Sequence, residues 1–196
     1  MNYLAHLYLS GDDPQVRIGN FIGDYVKGNS YDKYSPGIRK GILLHRKIDD
    51  FTDNHPIVKR SSERLYPHYR RYSGIITDMF FDHLLAAEWN TYNDIPLNTF
   101  VSSVHKLLLY NYFKLPAKVK GFLPFLIKNR GLENYKHISG LQRALTIMSK
   151  RSSLPAKTET AIKILEENYD EFRDQFHTFF PDVIKMAEEF LRENRP

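Results

Sequence analysis

Between Gly41 and Pro56 the chain sets His45, Asp49 and Asp53 four residues apart. On a helix that spacing aligns one imidazole and two carboxylates along a single stripe, a nitrogen and oxygen donor set of the kind that holds divalent cations. Leu44, Ile48 and Phe51 form a neighbouring apolar stripe, so the polar stripe runs beside the buried face and not opposite it. Carboxylates withdrawn from water in this way call for a counter-cation. Two blander readings stand beside this one. Arg46 and Asp50 form an i, i+4 pair worth only about a few tenths of a kcal/mol, and Asp53 or Asn54 is suited to cap a new helix starting near Pro56.

A second polar focus lies in Ser73–Trp89, an apolar helical pattern with Asp78, Asp82 and His83 embedded in it. Asp78 and Asp82 fall at i, i+4, where two like charges repel unless a cation lies between them or one is protonated. Nearer the start, His6 sits among leucines, and Asp24 follows Gly19 and Gly23. A lone histidine on an apolar face is usually a satisfied core residue, so His6 gains weight only beside other ligands. Glycines at i, i+4 cost about 1 kcal/mol each in a helix interior, so they mark a close approach of backbone or ligand.

The elements that must position these residues are helical. The pattern predicts helices over Asn2–Leu9, Gln15–Lys27, Gly37–Phe51, Pro56–Tyr72, Ser73–Trp89, Pro96–Tyr112, a short piece after Pro116, and Tyr135–Met148. A long helix over Thr158–Phe180 follows, and Pro181 restarts a last one to about Arg192. The aromatic residues at helical spacing near the end are core. No sustained period-2 run competes, so the fold class is all-α: one helical bundle spanning 1–196, in which His6, Asp24, His45, Asp49, Asp78, Asp82 and His83 on four helices can meet in the interior.

Composition narrows the chemistry. Cysteine is absent from the 196 residues, which excludes disulfides, thiolate metal sites and a cysteine nucleophile. The opening Met1-Asn2-Tyr3-Leu4-Ala5-His6 has no basic leader, and no apolar run approaches the roughly 20 residues that span a bilayer. A soluble, cytoplasmic protein is expected. The net charge of +5 is uneven: between Val101 and Lys157 the only acid is Glu133, among many lysines and arginines that include Lys118, Lys120 and Lys128. Such a face implies an anionic partner, or a solvated lysine surface with none.

The motifs Asn2-Tyr3-Leu4-Ala5-His6-Leu7, Gly19-Asn20-Phe21-Ile22-Gly23-Asp24-Tyr25-Val26-Lys27-Gly28, Leu44-His45-Arg46-Lys47-Ile48-Asp49-Asp50-Phe51-Thr52-Asp53-Asn54-His55-Pro56 and Asp82-His83-Leu84 occur in this order. Together they resemble the acyl carrier protein phosphodiesterase family, a divergent helical relative of the HD-domain metallophosphohydrolases. The likeness covers nearly the whole chain and weakens after about Tyr92. It departs from ordinary HD proteins in one respect: the adjacent pair is reversed, as Asp82-His83, and follows the lone His45.

The resemblance implies an HD-like fold and hydrolysis of the phosphodiester between phosphopantetheine and a serine of holo-acyl carrier protein, with release of the apo-protein. It also implies a divalent cation: Mn first, with Mg, Fe or Zn as alternatives. The expected ligands and catalytic residues are His45, Asp82 and His83, then Asp24 and Asp49, with Asp78 or His6 orienting a ligand or moving protons. Lys118, Lys120 and Lys128 would steer the acidic carrier protein. The rivals are an HD-like phosphohydrolase acting on nucleotides or other small phosphodiesters, and, ranked last, a non-catalytic basic helical protein that binds nucleic acid.

Overall fold

Asn2 opens the first helix by accepting a hydrogen bond from the Tyr3 N–H at 2.8 Å, and the computed structural model describes residues 1–194 from there as helices joined by short turns. In order they are α1 (Tyr3–Tyr8), α2 (Pro14–Ile22), α3 (Pro36–Asn54), α4 (Pro56–Glu63), α5 (Tyr66–Tyr69), α6 (Ser73–Ala87), α7 (Trp89–Tyr92), α8 (Leu97–Tyr110), α9 (Ala117–Lys128), α10 (Gly131–Asn134), α11 (Ile138–Arg151), α12 (Thr158–Glu167) and α13 (Tyr169–Glu193). No strand occurs among the described residues, and no helix is long and apolar enough to cross a membrane. The fold is all-α.

The α2–α3 pair carries the site. A Cβ on Gly19 would strike the Ile38 carbonyl, and one on Gly41 the Val16 carbonyl, so both glycines exist to let the two backbones touch. A Cβ on Gly23 would collide with the His45 ring itself. The small-residue seam in the sequence is therefore both a helix contact and the space that the imidazole fills.

Behind this pair, α13 packs Phe172, Phe176 and Phe179 against Phe80 and Phe81 of α6, and Phe180 against Tyr8 and Tyr92, with all four α13 rings fully buried. Each such side chain contributes about 1.5–3 kcal/mol of burial. These rings form the wall against which α3 and α6 present their polar edges, and the buried apolar residues make one continuous cluster.

Two expected helices are divided differently. The segment Pro56–Tyr72 breaks after Glu63 because Pro67 has no N–H to donate, and Arg70 then takes φ 49°, a left-handed turn. The last long helix breaks at Asn168, whose amide Nδ2 donates to the Ile164 carbonyl at 2.9 Å and closes α12. Pro181 lies inside α13 and does not restart it. The cap of α4 falls to His55, whose Nδ1 accepts from the Ile57 N–H at 3.3 Å, so neither Asp53 nor Asn54 is spent there.

Candidate metal and phosphodiester site

Asn20 on α2 orders the site through hydrogen bonds that fix two rings. Its side-chain Nδ2 donates to the His6 carbonyl at 2.8 Å and to Ser10 Oγ at 3.0 Å, which leaves Oδ1 to accept from His6 Nδ1 at 2.8 Å. Its backbone carbonyl accepts from His45 Nδ1 at 2.8 Å. Both imidazoles are thus held in the tautomer that turns Nε2 inward, and they stack with centroids 4.1 Å apart.

Asp49, one turn along α3 from His45, faces both rings. Its Oδ1 lies 3.1 Å from His6 Nε2 and its Oδ2 lies 3.2 Å from His45 Nε2, while Asp24 Oδ1 is 3.5 Å from the same His45 nitrogen. His6 Nε2 also meets the Met1 carbonyl at 3.2 Å. Inward nitrogens therefore face only oxygens, and His45 Nε2 is buried without a hydrogen-bond partner. Buried polar atoms are nearly always satisfied. An imidazole lone pair left over opposite carboxylates fits a divalent cation, and the ligand atoms of His6, His45 and Asp49 all lie within 4.8 Å of one another.

The electrostatics follow from the same contacts. Burial drives His6 down to about 4 despite its bond to Asp49. Burial also works against the charged form of His45, but Asp24 and Asp49 outweigh it and raise the ring to about 9. Asp49 is desolvated too, yet its contacts with His45 and His6 hold it well below the usual carboxylate range, and Asp24 is lowered chiefly by His45. Two ionised carboxylates thus converge on His45, whose charged form they favour, and Asp49 also faces His6, which burial keeps neutral.

The carboxylates open onto a cleft of about 460 Å³ lined by Asp24, Asp49, Asp53 and Asp78, with Tyr3 and Arg71 among its other walls. Asp78 Oδ1 pairs with the Met1 amino group at 3.2 Å, and burial raises the Asp78 carboxyl. Arg71 falls in the segment Pro56–Tyr72, for which the sequence pattern predicts only a helix. The turn at Arg70 brings it to the cleft, and that turn has no pattern in the sequence beyond Pro67.

The structure separates the second polar focus from the first. Asp82 is fully buried, but Oδ2 accepts from the Leu4 N–H at 2.8 Å and Oδ1 from the Ala5 N–H at 3.1 Å, so it caps α1 from α6. Burial pushes it up to about 7, against those two donors. His83 Nδ1–H donates to the Tyr135 carbonyl at 2.6 Å, and its Nε2 meets the Tyr169 hydroxyl at 3.2 Å. Both side chains have their polar atoms engaged, and the structure does not bring them into the His6, His45 and Asp49 cluster where they were expected. Asp82-His83 is a structural pair. The second imidazole in the cluster is instead that of His6. The expected Arg46–Asp50 pair is absent as well: Arg46 donates to the carbonyls of Val26 and Gly28, at 2.9 and 2.6 Å, and pins the loop after Asp24. Asn20 was visible in the sequence as part of a motif, but only its contacts reveal its role.

Comparison with known proteins decides the family. The profile of acyl carrier protein phosphodiesterase matches residues 1–183. The chain belongs to the acyl carrier protein phosphodiesterase family. Its curated relatives include proteins of that name from Yersinia pestis, 31% identical over 96% of this chain and 98% of the relative, and from Klebsiella pneumoniae subsp. pneumoniae, 32% identical over the same shares. A third, from Pectobacterium atrosepticum, is 31% identical over 95% of this chain and 97% of its own length. No solved structure is matched. The matched region contains all the residues of the cluster, and Lys118, Lys120 and Lys128 on α9 as well.

Proposed function

We propose that this protein is a metal-dependent phosphodiester hydrolase that removes phosphopantetheine from holo-acyl carrier protein. The single observation that carries the reading is the buried, unpartnered His45 Nε2 held opposite Asp24 and Asp49, two carboxylates that line an open cleft. The names of the relatives supply the substrate.

His6, His45 and Asp49 would hold the cation, with Asp24 joining from the rim, where its side chain is 61% exposed. With nitrogen and oxygen donors and no sulfur, the set suits Mn and equally admits Mg, Fe or Zn. The chemistry such a cation supplies is Lewis-acid polarisation of a phosphoryl oxygen and acidification of water.

The remaining steps fall to the chain's own groups. Asn20 keeps both rings in the tautomer with Nε2 inward. The Arg71 guanidinium, on the wall of the cleft, binds the anionic phosphoryl oxygens. Asp53 and Asp78 line the same cleft, and burial raises both carboxyls. They hold a proton more readily than Asp24 or Asp49, and are placed to return one to the departing serine oxygen. The exposed Lys118 and Lys128 and the half-buried Lys120 on α9 give an acidic carrier protein a complementary surface.

The test is the intact mass of holo-acyl carrier protein after incubation with the purified protein and Mn. Loss of the phosphopantetheine mass, abolished by chelator, is expected. An unchanged mass with every divalent ion tried would remove the substrate assignment.

A further inference from the structure

Beside the carboxylate cleft lies a second cavity of about 460 Å³, between α9 and α11. Its walls are Phe122, Phe125 and Leu126 from α9 and Ala144, Ile147 and Met148 from α11, and no acidic residue lines it. Tyr3 and Met148 line both cavities, so the two spaces adjoin. At the junction the Tyr3 and Tyr25 hydroxyls are hydrogen-bonded at 2.8 Å, and both rings pack on Phe122. Lys118, Arg143 and Arg151 also line this cavity, exposed to solvent.

An apolar space of this size falls in the roughly 300–1,000 Å³ range of small-molecule pockets. Its position matters more. A phosphodiester held at His45 and Asp49 has two arms, one leading to the carrier serine and one to the pantetheine. The serine arm belongs to a folded acidic protein too large for the cavity. The pantetheine arm is slender, uncharged and ends in a thiol, and it can enter a pocket that offers apolar walls and no carboxylate. The cations along the same pocket then face the acidic body that the arm comes from.

We propose that the cavity between α9 and α11 seats the pantetheine arm, thiol end inward, with Ala144 and Ile147 setting the width of the seat. This rests on the function proposed above. It makes the pocket the determinant of what the thiol may carry: an uncharged, apolar substituent fits between Phe125 and Ile147, and a cationic one, facing Lys118, Arg143 and Arg151, does not.

The probe is pantetheine itself, which has no phosphate for the carboxylate cleft to hold. Broadening of its methyl proton resonances on addition of the protein reports binding. Wild type and His45→Ala are expected to broaden them alike, and Ala144→Trp to abolish the effect. On holo-carrier protein, Ala144→Trp should lower kcat/KM by at least about tenfold, mostly through KM, the scale on which shape errors in an apolar pocket discriminate. Ile147→Trp is the second variant, used if the first fails to keep the wild-type melting temperature. Equal broadening by wild type and either folded variant, or none by wild type, overturns the proposal. If wild type binds pantetheine through this pocket yet leaves holo-carrier protein uncut, the pocket stands and the proposed function falls.

Discussion

The two polar foci, one built on α3 and the other on α6, contain the same residue types and have opposite fates. At His6, His45 and Asp49, outward nitrogens are tied to Asn20 and inward ones are left facing oxygens. At Asp82 and His83 every polar atom has a conventional partner: two backbone N–H groups, a carbonyl and a tyrosine hydroxyl. Burial alone marks neither as functional, since all four of His45, His6, Asp82 and His83 are buried. What separates a site from a scaffold is the hydrogen-bonding capacity left unspent.

That contrast can be broken most directly at its two histidines. His45→Ala should lower turnover of holo-carrier protein by at least about 100-fold, the scale seen when a single electrostatic group at a reaction centre is removed. His83→Ala should leave turnover within about twofold while costing about 1–3 kcal/mol of stability, because the Tyr135 carbonyl loses its donor in the interior. Turnover assays and denaturant titrations on both variants check the pair. Equal losses of activity would erase the distinction.

Asn20 sharpens it from the other side. Asn20→Ala frees the His6 ring to adopt the other tautomer, while the backbone carbonyl at position 20 still holds His45, and affinity for Mn should fall by about 10–100-fold. A metal titration followed by calorimetry measures this. Unchanged affinity would show that the His6 ring is set by something else.

Asp82 tests the scaffold. Asp82→Ala strands the Leu4 and Ala5 N–H groups and should cost about 1–3 kcal/mol, with Asp82→Asn costing less because it keeps one acceptor. The pH dependence has a definite sign. Asp82 is raised from its ordinary 3.8 to about 7 in the fold, so the folded state holds the proton longer than the unfolded one. Stability from this group is complete below about pH 3.8 and is lost as pH rises through about 7. Wild type should therefore gain on Asp82→Asn as pH falls from 7 to 4. Denaturation midpoints across that window decide it, and a gap that widens as pH rises would contradict the burial account.

The smallest expected effect concerns the carrier surface. Charge reversal at Lys118, Lys120 and Lys128 should raise KM for holo-carrier protein by several-fold and flatten its salt dependence, with kcat little changed. Steady-state kinetics at two ionic strengths measure it.

How much of this was legible in the sequence follows from the same physics. Helical periodicity and the absence of a period-2 run sufficed for an all-α fold, because those signals are local. His45 and Asp49 were visible because they share one helix. Gly19 and Gly23 were readable as a close approach, though not as room for an imidazole. Asp82 and His83 looked like ligands because a buried carboxylate demands a partner, and a sequence does not reveal that the partner is the N-terminus of α1, nearly eighty residues away in the chain. Asn20, Arg71 and the pairing of His6 with His45 depend on contacts between helices and left no periodic trace. The breaks at Pro67 and Asn168 show the limit of propensity: one proline ended a helix and Pro181 did not, because α13 is anchored on both sides by buried residues, Phe180 before it and Val183 after.

The measurement that tests the central claim most directly is the intact mass of holo-acyl carrier protein after incubation with Mn and wild type, His45→Ala or His83→Ala. Loss of the phosphopantetheine mass with wild type and His83→Ala, and not with His45→Ala or in chelator, is the predicted result. Cleavage by His45→Ala, or its loss in folded His83→Ala alone, would contradict the account and move the reaction centre to α6.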